Sequence, residues 1–174
     1  ILGFQNRAHT EALRNELQRL RDQGERYSRK TRLRTIVFKG FDEPLVRAQR
    51  KLVAIPALAG GDNTDGEHLA IAHALLKKRP ERKKVLMVLS DGLPASLSDY
   101  GDEHLCGHLQ AVVESCERAG TTLVGIGIMS DSAARFYKRH VRVDNPMDLA
   151  GATMDQLAHV MLGDREALLM SAAR

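Results

Sequence analysis

The hydrophobic pattern of this chain changes period repeatedly between the two-residue repeat of strands and the three-to-four-residue repeat of helices. Ile1-Leu2-Gly3-Phe4 reads as the end of a buried strand. From Ala8 to Gln23 the apolar positions Ala12, Leu13, Leu17 and Leu20 form a helical stripe that Gly24 ends. Arg32 to Phe38 reads as a short strand or extended segment, and Glu43-Pro44 opens a helix, with proline at an early position, that runs to about Ile55. Gly60-Gly61-Asp62-Asn63-Thr64-Asp65-Gly66 is a polar turn. Leu69, Ala70, His73 and Leu76 then repeat at helical spacing between Glu67 and Lys78, and Pro80 stops them.

The second half is more apolar. Val85-Leu86-Met87-Val88-Leu89 reads as a strand buried on both faces, of the kind found at the centre of a parallel sheet. It ends on Ser90-Asp91-Gly92-Leu93-Pro94, a tight turn at the carboxyl end of the strand. Asp102 is placed to cap a helix through Arg118, with Leu105, Leu109, Val112, Val113 and Cys116 on its apolar face and Gly120 as its terminator. Thr121 to Met129 is a second fully buried strand, in which Gly125 and Gly127 allow another element to approach closely. Ser130-Asp131 caps a short helix to Arg139, His140 to Val143 is a half-exposed strand near a sheet edge, and Thr153 to Leu162 is a closing helix. This alternation predicts an α/β fold: a doubly wound, mostly parallel sheet with right-handed crossovers and helices on both faces. Residues 1–163 form the domain, and 164–174 extend its last helix or fold back as a tail.

Length and composition suit one globular core, with 174 residues, 28% charged and 43% hydrophobic. No apolar run approaches the roughly 18 residues of a membrane span, which argues against a membrane protein. Cys106 and Cys116 lie in one predicted helix, separated by a rise of roughly 15 Å, so they are expected as free thiols, which suits a cytoplasmic location. The net charge of +4 is uneven, because the segment from Arg14 to Lys51 carries twelve Lys and Arg against only five Asp and Glu. That segment has few aromatics and no nucleic-acid motif, so a solvated face or a docking surface for an acidic partner accounts for it better than RNA or DNA.

Open α/β sheets place ligands at the carboxyl ends of their strands, where Asp91 stands. A carboxylate there can act as a hard oxygen ligand for a divalent cation, or it can merely cap the turn. His104, Cys106 and His108 lie close together, but with no distant fourth ligand they read as a partly buried helix face rather than a zinc site. His9, His140 and His159 are isolated, and His68 and His73 do not share a helix face. No Walker loop, Gly-x-Ser-x-Gly or paired-cysteine motif is present, so ATPase, hydrolase and redox chemistry lack residues to carry them.

Several segments together resemble the von Willebrand factor A (VWA) domain at the C-terminus of cobaltochelatase CobT subunits. They are Ile1-Leu2-Gly3-Phe4, Asp42-Glu43-Pro44 with Arg47-Ala48-Gln49-Arg50, Asn63-Thr64-Asp65-Gly66-Glu67, Val88 to Pro94, Glu103-His104-Leu105, Gly125-Ile126-Gly127-Ile128 and Arg135-Phe136-Tyr137. The resemblance implies a Rossmann-like fold and a metal-ion-dependent adhesion site built from three loops, in which hydroxyls and carboxylates hold Mg²⁺. Asp91 matches the third loop. The second falls in Asp62 to Asp65, with Thr64 as first choice and Asp65 or Asn63 as alternatives. The Asp-x-Ser-x-Ser of the first loop does not occur in the chain; the resemblance puts it, with a first strand and first helix, before Ile1, so an open sheet edge is expected beside residues 1–4 or the central strand.

By the same resemblance, the chain is a non-catalytic module of an oligomeric assembly. It would couple an AAA+ ATPase subunit of the MoxR-like type to cobalt insertion by a large chelatase subunit. Two other functions compete with this one: an A-type module serving a different AAA+ machine, and a small hydrolase using Asp91 with a histidine.

Overall fold

The computed structural model describes residues 1–6, 11–25, 33–95 and 101–163. The expected start of the first helix at Ala8, the basic residues between Arg26 and Arg32, the Ser96 to Asp99 segment and the tail after Gly163 lie outside these residues. In chain order the elements are β1 (Leu2–Asn6), α1 (Glu11–Asp22), β2 (Leu33–Val37), α2 (Leu45–Val53), α3 (Ile55–Leu58), α4 (Asp65–Lys77), β3 (Lys84–Ser90), α5 (Asp102–Arg118), β4 (Thr121–Ile128), α6 (Ser132–Phe136), β5 (His140–Val143) and α7 (Leu149–Leu162). A 3-10 turn at Pro146–Asp148 leads into α7. The chain forms two compact units, one of Ile1–Ala72 with Pro94–Leu109, the other of His73–Leu93 with the chain from Gln110 on.

In the first unit β1 pairs antiparallel with β2, Leu2 opposite Val37 and Asn6 opposite Leu33. The apolar stripe of α1 buries Leu13 and Leu17, with Leu20 packed against them, and Gly24 follows at a φ of +72°, a left-handed conformation open to glycine without a Cβ penalty. α2 starts after Pro44, and Ala48 is its one buried residue. α4 begins at Asp65, two residues earlier than the apolar spacing implies, because its first turn is buried through polar residues that a hydrophobic count does not register.

The second unit contains a three-stranded parallel sheet of order β3-β4-β5. As expected, Val85 to Leu89 and Thr121 to Ile128 are parallel neighbours, with Val85 opposite Thr122 and Leu89 opposite Ile126. The open edge expected beside the strand of Val85 to Leu89 is present, and the burial of that strand is lower than its apolar run implies. β4 is the central strand and is buried along most of its length, whereas β3 pairs with β4 alone among the described residues and is only half-buried, with Leu89 39% exposed. An apolar run reports burial potential but not which strand acquires two ladder neighbours. β1 likewise has one described ladder partner, so β1 and β3 each present an outer edge. β5 is the half-exposed edge strand that its sequence suggests.

The side-chain alternation of β4 builds both faces of this sheet. Val124 and Ile126 point to one face, where they pack with Val143 and with Leu149, Ala152 and Val160 of α7. The glycines point to the other, where a Cβ on Gly125 would overlap the Tyr137 ring and one on Gly127 would overlap the Ser130 carbonyl oxygen, beside Ala133 of α6. The close approach read from these glycines is therefore present, and with α7 on the opposite face both faces of the sheet are packed. The capping of α6 differs in detail, since Ser130 Oγ accepts from Ser132 N at 3.2 Å while the Asp131 carboxylate accepts from Arg142. α7 begins at Leu149 rather than Thr153, after Asn145 Oδ1 accepts from Met147 N at 3.1 Å.

Glycine is needed at Gly127 but not at Gly151, whose Cβ position in α7 is open space. Gly127→Ala is expected to lower the stability of the chain by about 1–3 kcal/mol, because a backbone carbonyl cannot rotate away as a side chain can. Gly151→Ala is expected to raise it by about 0.5–1 kcal/mol through helix propensity. Urea unfolding of the two variants beside the parent checks both signs.

Candidate functional site

The loop before α4 is stitched to the end of β1 by hydrogen bonds that begin in the backbone. Asn6 N donates to the Asp62 carbonyl at 2.6 Å. Gly61, at a φ of +90°, passes so close that a Cβ would lie 2.7 Å from the Asn6 carbonyl oxygen. Asn63 exchanges backbone hydrogen bonds with Ala95 at 3.0 and 2.9 Å. These contacts hold Asn63, Thr64 and Asp65 against β1 before any side chain is considered.

The side chains then form a buried polar cluster. The Thr64 hydroxyl, 1% exposed, donates to Asn6 Oδ1 at 3.2 Å, and Asn63 Nδ2 donates to Asp65 Oδ1. One turn further along α4, Glu67 Oε2 lies 3.4 Å from His108 Nδ1 on α5. His108 can sit there because residue 66 is glycine; a Cβ would overlap its imidazole. His68 is also buried, with Thr35 Oγ1 3.1 Å from its Nδ1 and the Phe4 ring centroid 5.3 Å from its own. Desolvation holds the His68 pKa below its ordinary value, and the Glu67 carboxylate and the Gln5 backbone only partly offset this.

Three of the four predicted ligands, Asn63, Thr64 and Asp65, are thus brought together in the first unit. Asp91 belongs to the second, on the turn after β3, where it is exposed. The hydrogen bonds of this turn come from its neighbour: Ser90 Oγ donates to the Gly92 carbonyl at 3.1 Å and accepts from Gly92 N at 3.4 Å. Among the described residues the Asp91 carboxylate makes no hydrogen bond or ion pair, so the turn does not depend on it for a cap.

Asn6, Glu67, His68 and His108 were not singled out by the sequence as members of one cluster. The available signal was the acid-rich helix start Asp65-Gly66-Glu67-His68, whose small residue leaves room for a ring. Among the described residues no group of three or more His, Cys, Asp or Glu side chains is arranged to hold a metal ion, and His108 is directed at Glu67. Both cysteines are free and buried, and burial raises the Cys116 thiol pKa. No described helix is long and apolar enough to cross a membrane.

The family model for the VWA domain of the cobalamin biosynthesis protein CobT matches residues 1–163. The chain belongs to this family. Membership accounts for the mixed α/β architecture and assigns this VWA domain to cobalamin biosynthesis, in cobaltochelatase. No solved structure matches the chain.

The depressed His68 pKa fixes the sign of one pH effect. The unfolded chain binds the proton more readily, so this group favours folding above about pH 6.5 and loses that contribution as pH falls through its folded-state pKa. His68→Asn, which retains a polar partner for Thr35, is expected to reduce the loss of stability between about pH 7.5 and pH 5.5. Urea midpoints of variant and parent at the two pH values measure the difference.

Proposed function

We propose that this VWA domain is a Mg²⁺-dependent protein-interaction module that couples an AAA+ ATPase subunit to cobalt insertion. The observation that carries the reading is the Asp91 carboxylate: exposed at the carboxyl end of a parallel strand, it leaves the hydrogen bonding of its own turn to Ser90. A carboxylate that makes no hydrogen bond or ion pair among the described residues, in the position where open α/β sheets meet their ligands, suits cation binding.

The donor chemistry of the first unit also fits Mg²⁺. Thr64, Asp65 and Asn63 offer oxygen ligands, and a hydroxyl that donates its hydrogen to Asn6 keeps lone pairs for a cation. In the first unit Thr64, Asp65 and Asn63 are the residues that would hold the ion; in the second, Asp91 is the carboxylate that the family resemblance adds to the ligand set. When bound, Mg²⁺ supplies a positive centre able to accept a carboxylate from a partner protein. The chain's own residues contribute position: Asn6 orients the Thr64 hydroxyl, Asn63 orients the Asp65 carboxylate, and the Ser90 turn presents Asp91 to solvent. ATP hydrolysis and metal insertion both fall to partner subunits in this reading, an AAA+ ATPase and a large chelatase subunit.

Asp91→Asn removes the charge but retains the shape. In the intact subunit it is expected to abolish Mg²⁺-dependent association with the ATPase and to leave the urea midpoint nearly unchanged. Asp91→Ala should behave the same way, whereas Ser90→Ala should cost about 0.5–1.5 kcal/mol of stability through the lost turn hydrogen bonds. Binding titrations with and without EDTA provide the readout, and undiminished, EDTA-insensitive binding by the Asn variant would overturn the metal reading.

A further inference from the structure

α2 turns an apolar, basic face to solvent. Ala48 is fully buried on one side of this helix, while Val46 and Val53 are 76% and 81% exposed on the other. Val46, Arg50 and Val53 follow the i, i+4, i+7 spacing of a single stripe, and Arg47 flanks it. Two β-branched side chains held in water at seven-residue spacing are an unusual use of a surface helix.

The charge around the stripe has one sign. α2 contains Arg47, Arg50 and Lys51 and no acid. Glu43, just before the helix, is already engaged: it accepts from Lys51 Nζ at 2.8 Å and from Gly40 N at 2.9 Å, and these two contacts hold its carboxyl below the usual range. Among the described residues neither the Arg47 nor the Arg50 side chain has an ion-pair or hydrogen-bond partner. Two uncommitted guanidiniums beside two exposed valines call for carboxylates and apolar anchors on one surface.

We propose that α2 is a docking site for an acidic amphipathic helix of a partner protein. The apolar anchors of that helix would cover Val46 and Val53, and its Asp or Glu side chains would pair with Arg47 and Arg50. A protein surface fits better than a lipid one. The stripe is short, and its valines have few rotamers, so they form a preorganised surface for side-chain packing rather than a set of long chains suited to insertion. The inference extends the interaction-module reading without using its metal, so it is tested in EDTA and can fail independently.

The probe is a fluorescein-labelled helical peptide with leucines at i, i+3, i+4 and i+7 and glutamates elsewhere, beside a counterpart with lysine in place of glutamate. Anisotropy titrations of the full chain at low salt are expected to show saturable binding of the glutamate peptide and none of the lysine peptide. Arg47→Glu with Arg50→Glu should weaken glutamate-peptide binding by about tenfold or more and create binding of the lysine peptide. Val46→Ser with Val53→Ser should weaken it by about tenfold, and urea midpoints should confirm that both double variants remain folded. Equal binding of the two peptides, or binding unaffected by both double variants, would overturn the proposal. So would displacement of the peptide by phosphatidylserine vesicles, or sedimentation showing a dimer that Val46→Ser with Val53→Ser dissociates.

Discussion

A hydroxyl removed from water must find a hydrogen-bond partner or cost stability, and Thr64 meets that requirement with Asn6. The bond ties the last residue of β1 to the start of α4, and the backbone hydrogen bond from Asn6 N to Asp62 reinforces it. With the helix start placed, Asp65, Glu67 and His68 are buried in succession. Each then needs its own partner, which explains why Asn63, His108 and Thr35 contact them. The polar character of this cluster is a consequence of the first bond: a helix start anchored by a threonine and an asparagine draws its neighbours in with it.

The second unit is organised by the opposite means, the absence of side chains. Gly125 and Gly127 let Tyr137 and the Ser130 backbone lie directly on β4, while Val124 and Ile126 fill the other face against α7. The outcome is a parallel sheet packed on both faces, with the turn at Asp91 following the carboxyl end of β3. In the proposed role, a side chain presented on a turn held in this way would lose less conformational freedom on binding.

The alternation of elements was legible because period alone separates strands from helices, and the breaks at Gly24, Gly120 and Pro80 have local causes. That some element approaches Gly125 closely was legible because glycine in a buried strand has few other uses, but only the structure identifies that element as the Tyr137 ring. The open edges at β1 and β3 follow the expectation of an unfilled place beside residues 1–4 or the strand of Val85 to Leu89, whereas the lower burial of β3 was not legible, because Val85 to Leu89 report only their own hydrophobicity. The polar cluster was legible only in part. Asn63, Thr64 and Asp65 stand in a recognisable loop, but Asn6, 58 residues from Thr64 along the chain, enters the cluster only through tertiary pairing. Asp91 was identified by position, yet nothing in Ser-Asp-Gly says that serine, not aspartate, makes the turn's hydrogen bonds.

The two cysteines of α5 have a practical meaning. Cys106 and Cys116 are 4% and 1% exposed, and burial raises the Cys116 pKa, so the nucleophilic thiolate there is suppressed as well as shielded. A wild-type chain of this kind is nearly silent to maleimides and similar reagents while it remains folded. Any cysteine introduced on its surface therefore becomes a single addressable handle for a fluorophore, a spin label or a cross-linker. The native thiols report the reverse event, since their sudden labelling signals that α5 has opened.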